Sequence, residues 1–301
     1  MIAGSSPARL SPELLAQIKA LHFRTRRLVT ETFAGRYESA FRGRGMELDE
    51  VREYQPGDDV RAIDWNVTAR TGAPHVKLHR EERELTVLLV VDVSRSGCFG
   101  STGRFKREMA AEVAALLAYT AIASNDRVGL LAVSDRVELY VPPKKGRGHG
   151  WRLIRSILTL EPEGRGTDLG LGFDFLARVL SRRSVVFVVS DFFTEGYETG
   201  LSLAARRHDL TAVVLTDRRE EELPALGLVA LEDAESGEVR VVDSSDPDLA
   251  RHLAAAAERE TERRRALLAS LSVDQLELAT HRPTVDDLAR FFHAREARRA
   301  R

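Results

Sequence analysis

The sequence predicts a mostly parallel α/β sheet covered by helices on both faces, and three observations carry that expectation. The runs Leu85–Val91 and Val185–Val189 are continuous apolar stretches rich in β-branched residues, the pattern of strands buried on both sides. Segments with helical apolar spacing follow the strands. A further apolar run, Leu210–Leu215, then resumes the strand pattern, so strands and helices alternate as a parallel sheet requires.

The elements can be justified in order. Ser11-Pro12 predicts a helix start, with serine as N-cap, proline at the first helical position, and Leu14, Leu15, Ile18 and Leu21 at helical spacing. Residues 35–84 hold glycines, arginines and acidic pairs with only short apolar pieces. After strand 85–91 comes a helix of about twenty residues with Phe105, Met109, Val113, Leu116 and Leu117 on one face. Val128–Val133 and Val137–Val141 flank Ser134-Asp135-Arg136 and predict a hairpin. The basic loop Lys144–Gly150 leads into a helix with Trp151, Ile154, Ile157 and Leu158, and Thr167-Asp168 caps the next one. Strand 185–189 ends in Ser190-Asp191; a helix around 197–207 precedes strand 210–215. Strands 228–232 and 238–242 flank Glu235-Ser236-Gly237 as a second hairpin. Asp246-Pro247 opens a long charged helix to about Leu271, a short strand lies near Leu276–Leu278, and Thr284 caps a last helix with Val285, Leu288 and Phe292 inward.

Composition narrows the function. In 301 residues, 43% are hydrophobic and 30% charged, the balance of a soluble globular protein with material for a large core. A net charge of −1 argues against a nucleic-acid footprint. No apolar run approaches the ~18 residues of a membrane span. The N-terminal residues lack the layout of a secretory signal, and the single cysteine, Cys98, fits a reducing compartment. The expected location is the cytoplasm.

The candidate site begins where the first strong strand ends. Asp92, Ser94 and Ser96 alternate in Asp-x-Ser-x-Ser at the carboxyl edge, where open α/β sheets keep their ligands. Two later segments have matching chemistry: Thr167, between helices, and Asp191, ending the second strong strand. Together they form an all-oxygen set of two carboxylates and three hydroxyls. Hard Mg²⁺, with Mn²⁺ as the alternative, takes such ligands and keeps several waters. Asp168 is better placed as a helix cap, or as an outer acceptor orienting the ligands, than as a ligand itself.

The order Asp92-Val93-Ser94-Arg95-Ser96, Thr167, Asp191 resembles the metal-ion-dependent adhesion site of von Willebrand factor A domains. The preceding block is more specific. Gly43-Arg44-Gly45, Arg52-Glu53-Tyr54, Pro56-Gly57-Asp58-Asp59, Arg61, Ile63-Asp64-Trp65 and Ala69-Arg70 resemble the signature of the domain-of-unknown-function family 58, over residues 35–300. Gly97 departs from it, since many such domains carry methionine after the second serine. The resemblance implies a von Willebrand factor A-like, Rossmann-type fold with a family-specific N-terminal extension and a small hairpin insertion. It also implies a non-catalytic module that binds a partner protein's acidic side chain through the metal, in association with MoxR-type AAA+ ATPases that assemble or activate client proteins. The expected divisions are 1–84 for the extension, 85–282 for the A-like domain with its hairpin at about 228–243, and 283–301 for the C-terminal helix.

Other groupings have plainer readings. Arg52, Asp58, Asp59, Arg61, Asp64, Trp65 and Arg70 form either a docking surface or a salt-bridged, aromatic-anchored bracket that fixes segment 74–84 to the sheet; the bracket is favoured. Lys144–Gly150 lacks phosphate-loop spacing, Pro74 predicts extended chain at His75 and His79, and no hydrolase elbow is present. The arginine-rich segment 258–265 and the basic tail 295–301 are expected as solvated helical faces. The alternative function is a metal-dependent phosphoryl-transfer or hydrolytic enzyme using the same carboxylates, although Ser94 stands where haloacid-dehalogenase-like phosphatases carry an acid. A structural module with an empty site is the third possibility.

Overall fold

The computed structural model describes residues 34–41, 50–60, 63–78, 84–101, 103–235 and 237–299. The helix expected from Ser11, the Gly43-Arg44-Gly45 triplet, Arg61 and His79 lie outside the described residues.

The centre is β3 (Thr86–Asp92), following β1 (Glu50–Glu53) and β2 (His75–Leu78), which pair antiparallel in a separate small sheet. The main sheet adds β4 (Arg127–Val133), β5 (Val137–Lys144), β6 (Val185–Ser190), β7 (Asp209–Thr216) and β10 (Asp274–Ala279), in the order β10-β7-β6-β3-β4-β5. All its pairings are parallel except the β4–β5 hairpin at one edge. The remaining strands, β8 (Leu228–Glu232) and β9 (Val239–Asp243), form a hairpin of their own. The expected mostly parallel α/β architecture is thus present.

Alternation along β3 divides two cores. Val87, Leu89 and Val91 face α1 (Ala34–Phe41), α3 (Lys106–Ala123), α4 (Arg147–Leu158) and α9 (Thr284–Arg299). Leu88 and Val90 face α5 (Leu169–Val179), α6 (Glu198–Arg207) and α8 (Pro247–Ser270). α3 is buried on nearly every side, which its alanines permit by letting neighbours approach closely. Phe105, expected on its inner face, is instead the N-cap residue and exposed, because the helix begins one residue later.

The arginine expectation needs correction. Arg264 on α8 and Arg295 on α9 are buried, not solvated. Arg264 lies on the inward stripe with Leu268, at i,i+4 spacing. Arg295 clamps α1: its Nε donates to the Ala40 carbonyl (3.0 Å), its Nη2 donates to Asp209 Oδ2 (2.6 Å) and its Nη1 to Asp274, and its guanidinium lies 4.2 Å from the centre of the Phe41 ring. Phe41 in turn packs edge-on against Phe187 of β6 at 5.4 Å, tying α1 to the sheet.

The Arg52–Arg70 block is also only partly as expected. Arg52 forks onto Asp58 at 2.6 and 2.8 Å, and this hydrogen-bonded guanidinium, with the Gln55 amide, holds the Asp58 carboxyl below its usual range. Asp64 caps the short α2 (Trp65–Thr71) by accepting from Asn66 and Val67 amides. Trp65, however, is 70% exposed, so it anchors no bracket: as the first residue of α2 it faces outward. β2 pairs with β1 and not with the main sheet.

Candidate metal centre

Parallel register places the ends of β3 and β6 side by side, with Val91 opposite Val189 and Asp92 therefore next to Ser190. Ser190 Oγ donates to Asp92 Oδ2 at 2.6 Å, while the Ser94 amide donates to Oδ1 at 2.9 Å. The chain then turns into a short 3₁₀ segment, Arg95–Cys98, which brings Ser94 and Ser96 hydroxyls to 3.0 Å. On the neighbouring strand, Asp191 is followed by Phe192, a buried residue at φ +60°. A bulky side chain in left-handed backbone is strained. It is held by packing on Tyr197, and the turn lets Phe193 N donate to Asp191 Oδ1 at 3.1 Å.

Thr167 reaches this edge from elsewhere. Its loop is tied to the β4–β5 hairpin: Glu138 accepts from the Gly164 amide (2.7 Å), Asp135 from Arg165 and Gly166 amides, and the Ser134 carbonyl from the Asp168 amide (2.9 Å). A Cβ on Gly164 would lie 2.0 Å from Ser134 Oγ and 2.3 Å from Asp135 Oδ1, so a larger residue would push these tethering side chains aside. Thr194 Oγ1 donates to the Thr167 carbonyl at 3.0 Å. Thr167 is thus strung between the loops after β4 and β6, the two neighbours of β3. Its own hydroxyl donates to Glu235 Oε1 at 2.6 Å, at the tip of the β8–β9 hairpin. Asp168 caps α5 by accepting from the Leu171 amide, matching its expected role as a cap.

Four groups here were not anticipated: Ser190, Glu220, Glu235 and Lys106. Lys106 opens α3 and is buried; its Nζ donates to Asp191 Oδ2 at 2.6 Å, contacts Glu220, and lies 5.6 Å from the centre of the Phe193 ring. A lysine in the first turn of a helix opposes the macrodipole, and that anomaly was the available signal. Ser190 was visible as the residue before Asp191. Glu220 lies on the one-turn helix α7 (Arg218–Glu221), capped by Asp217 after β7.

The electrostatics are those of a site short of positive charge. Asp92 is half-buried, open to a cleft shared with Ser96, Lys106 and Asp191. Burial, and then the charge of Asp191, push its carboxyl up to about 6 despite the bonds from Ser190 and Ser94. Burial raises Glu220 against the pull of Lys106; for Lys106, burial is overcome by the charges of Asp191 and Glu220, which raise it. Three carboxylates face one ammonium, leaving two formal negative charges. The oxygen-only donors Asp92, Ser94, Ser96 and Asp191 and that deficit are of the kind a hard divalent cation takes, while Thr167, expected to join them, has its hydroxyl bonded to Glu235. Among the described residues no three His, Cys, Asp or Glu side chains form a metal cluster, so hydroxyls dominate the donor set.

Asp217 is the support behind Glu220. Its enclosure would raise the carboxyl, but hydrogen bonds from Ser101, Thr280 and the Arg219 amide win and hold it at about 2. The stabilisation is present above the unfolded value near 3.8 and is lost as pH falls toward 2. Asp217→Asn is therefore expected to cost about 2 kcal/mol at pH 7, as measured by urea unfolding.

Residues 50–263 match the family model described as "Protein of unknown function DUF58". The chain belongs to the DUF58 family. Relatives of this DUF58 protein include uncharacterized protein Rv1480 of Mycobacterium tuberculosis, 36% identical over 287 residues that cover 94% of this chain and 90% of that protein. YeaD of Bacillus subtilis is 23% identical over 191 residues, covering 64% of this chain and 45% of that protein. Solved structures similar to the DUF58 chain include BatB of Bacteroides thetaiotaomicron, at a TM-score of 0.47 and 14% identity, covering 71% of this chain and 99% of that one. The VWA domain of SpRpn10 is similar at a TM-score of 0.36 and 14% identity, over 68% and 93% of the two chains. Among the described residues, no helix of the DUF58 protein is long and apolar enough to cross a membrane.

Proposed function

We propose that this protein is a metal-dependent protein-binding module. Asp92, Ser94, Ser96, Thr167 and Asp191 hold Mg²⁺ (or Mn²⁺), and an acidic side chain of a partner completes the coordination. The observation that carries the reading is Asp92: its carboxyl is raised by burial beside Asp191, yet it opens onto a cleft with serine hydroxyls at hand. A cation bound there, with Lys106 already drawing on Asp191, keeps enough charge to attract one more carboxylate. The enzymatic alternative lacks support, because hydrolysis would need an activated nucleophile. Here the Ser94 and Ser96 hydroxyls bond each other, and Lys106 is bound in two ion pairs.

The partner we propose is a MoxR-type AAA+ ATPase, with the module serving as adaptor or chaperone in assembling or activating a client. Such a partner uses ATP, so the proposed location is the cytoplasm. The exposed Asp59, Trp65 and Arg70 provide a second docking surface. The test is co-elution of the purified protein with the ATPase in Mg²⁺ and in chelator, for wild type and Asp92→Ala. A complex formed only by wild type in Mg²⁺ is the expected result; one that persists in chelator or with Asp92→Ala overturns metal-mediated docking.

A further inference from the structure

The β8–β9 hairpin carries an interaction that the proposed metal reading leaves unused. Its base is pinned by Ser244, which accepts from the Leu226 amide at 2.9 Å and donates to the Gly227 carbonyl at 2.8 Å. Its strands leave Leu228 (77% exposed), Val239 (58%) and Val241 (69%) in solvent, so apolar burial does little to fix where it lies. The tip is nevertheless located: Glu235, whose backbone amide donates a hydrogen bond to Asp233 Oδ1, is half-buried and accepts from the Thr167 hydroxyl at 2.6 Å. Its second carboxylate oxygen lies 3.7 Å from where a Gly166 Cβ would stand. A carboxylate 68 residues away in sequence therefore sits on a hydroxyl of the candidate ligand set.

We propose that Glu235 is an internal acidic ligand, with which the hairpin tip caps the metal bound at Thr167. This rests on the metal reading above. The chemistry favours it: of the two ligand carboxylates Asp191 is already paired with Lys106, and hydroxyl ligands add no charge, so a divalent ion draws a nearby carboxylate. Glu235 is already hydrogen-bonded to one of the ligand hydroxyls. An incoming acid from a partner then has to displace Glu235, and releasing the tip frees a hairpin with exposed apolar residues.

The test is a Mn²⁺ titration of the full chain, reading free ion by electron paramagnetic resonance and coordinated water by water-proton relaxation. Wild type, Glu235→Gln and Glu235→Ala are compared, with hairpin amide exchange followed in each. Glu235→Gln retains an acceptor for Thr167, so a mere structural clasp survives it. Both variants are expected to bind Mn²⁺ about tenfold or more weakly, with one additional exchangeable water and no metal-induced protection of the hairpin. Equal affinity and hydration in all three overturns the role of Glu235 and leaves the metal site standing. Absence of Mn²⁺ binding in wild type overturns the metal site and this proposal together.

Discussion

Lys106→Met is expected to lower stability by about 3–5 kcal/mol, because it strands buried carboxylates without their counter-charge. Lys106 is 2% exposed, its Nζ donates to Asp191 at 2.6 Å, and it also pairs with Glu220. Methionine replaces much of the stem's packing, so the loss reports charge more than volume. Urea unfolding at pH 7.5 in chelator measures it. Added Mg²⁺ should return part of the loss, since a ligand that binds only the folded state stabilises it by mass action. With the competing ammonium gone, the variant should also bind Mg²⁺ more tightly than wild type. A change below about 1 kcal/mol would mean that water replaces the ammonium beside Asp191 and Glu220 at little cost.

Asp92 should make the metal-free protein lose stability as pH rises. Its carboxyl ionises at about 6 in the folded chain and near 3.8 when unfolded, so the folded state holds the proton more strongly. That contribution is fully present below pH 3.8 and is lost as pH rises through 6, amounting to at most about 3 kcal/mol. The facing groups are Asp191, which raises Asp92, and Lys106, which is paired with Asp191 and Glu220. Asp92→Asn removes the titration but also disturbs the bonds from Ser190 and Ser94, so the informative quantity is the change with pH. Between pH 4.5 and 7.5 in chelator, the variant should gain on wild type by about 2 kcal/mol, since the window opens above the unfolded value; parallel stability curves would refute the buried-charge account. Saturating Mg²⁺ should flatten the wild-type curve by supplying the missing positive charge.

The main sheet was legible because fully buried parallel strands carry their signal locally. Runs such as VLLVV and VVFVV require no knowledge of their neighbours, and the caps at Asp168 and Asp246 are single-residue signals. Asp92 and Asp191 were legible for the same reason: the first ends such a strand and the second directly follows one. Less accessible were pairings created by register and long-range contact. Ser190 bonds Asp92 across 98 residues, Lys106 reaches Asp191 across 85, and Glu220 joins Lys106 across 114. Composition also misled where charge was taken for exposure. Arg264 and Arg295 are buried because each follows the inward stripe of its helix, and Arg295 finds Asp209 in a different element. Trp65 shows the reverse error, an aromatic side chain taken for an anchor that lies in solvent.

The most direct measurement is a calorimetric titration of Mg²⁺ and Mn²⁺ into metal-free wild type and Asp92→Ala at pH 7.5, with circular dichroism to confirm that both are folded. The expected result is a single saturable site in wild type and none in a folded Asp92→Ala. Absence of saturable binding in wild type, or equal binding by the variant, would contradict the proposal that the strand end at Asp92 is a cation site.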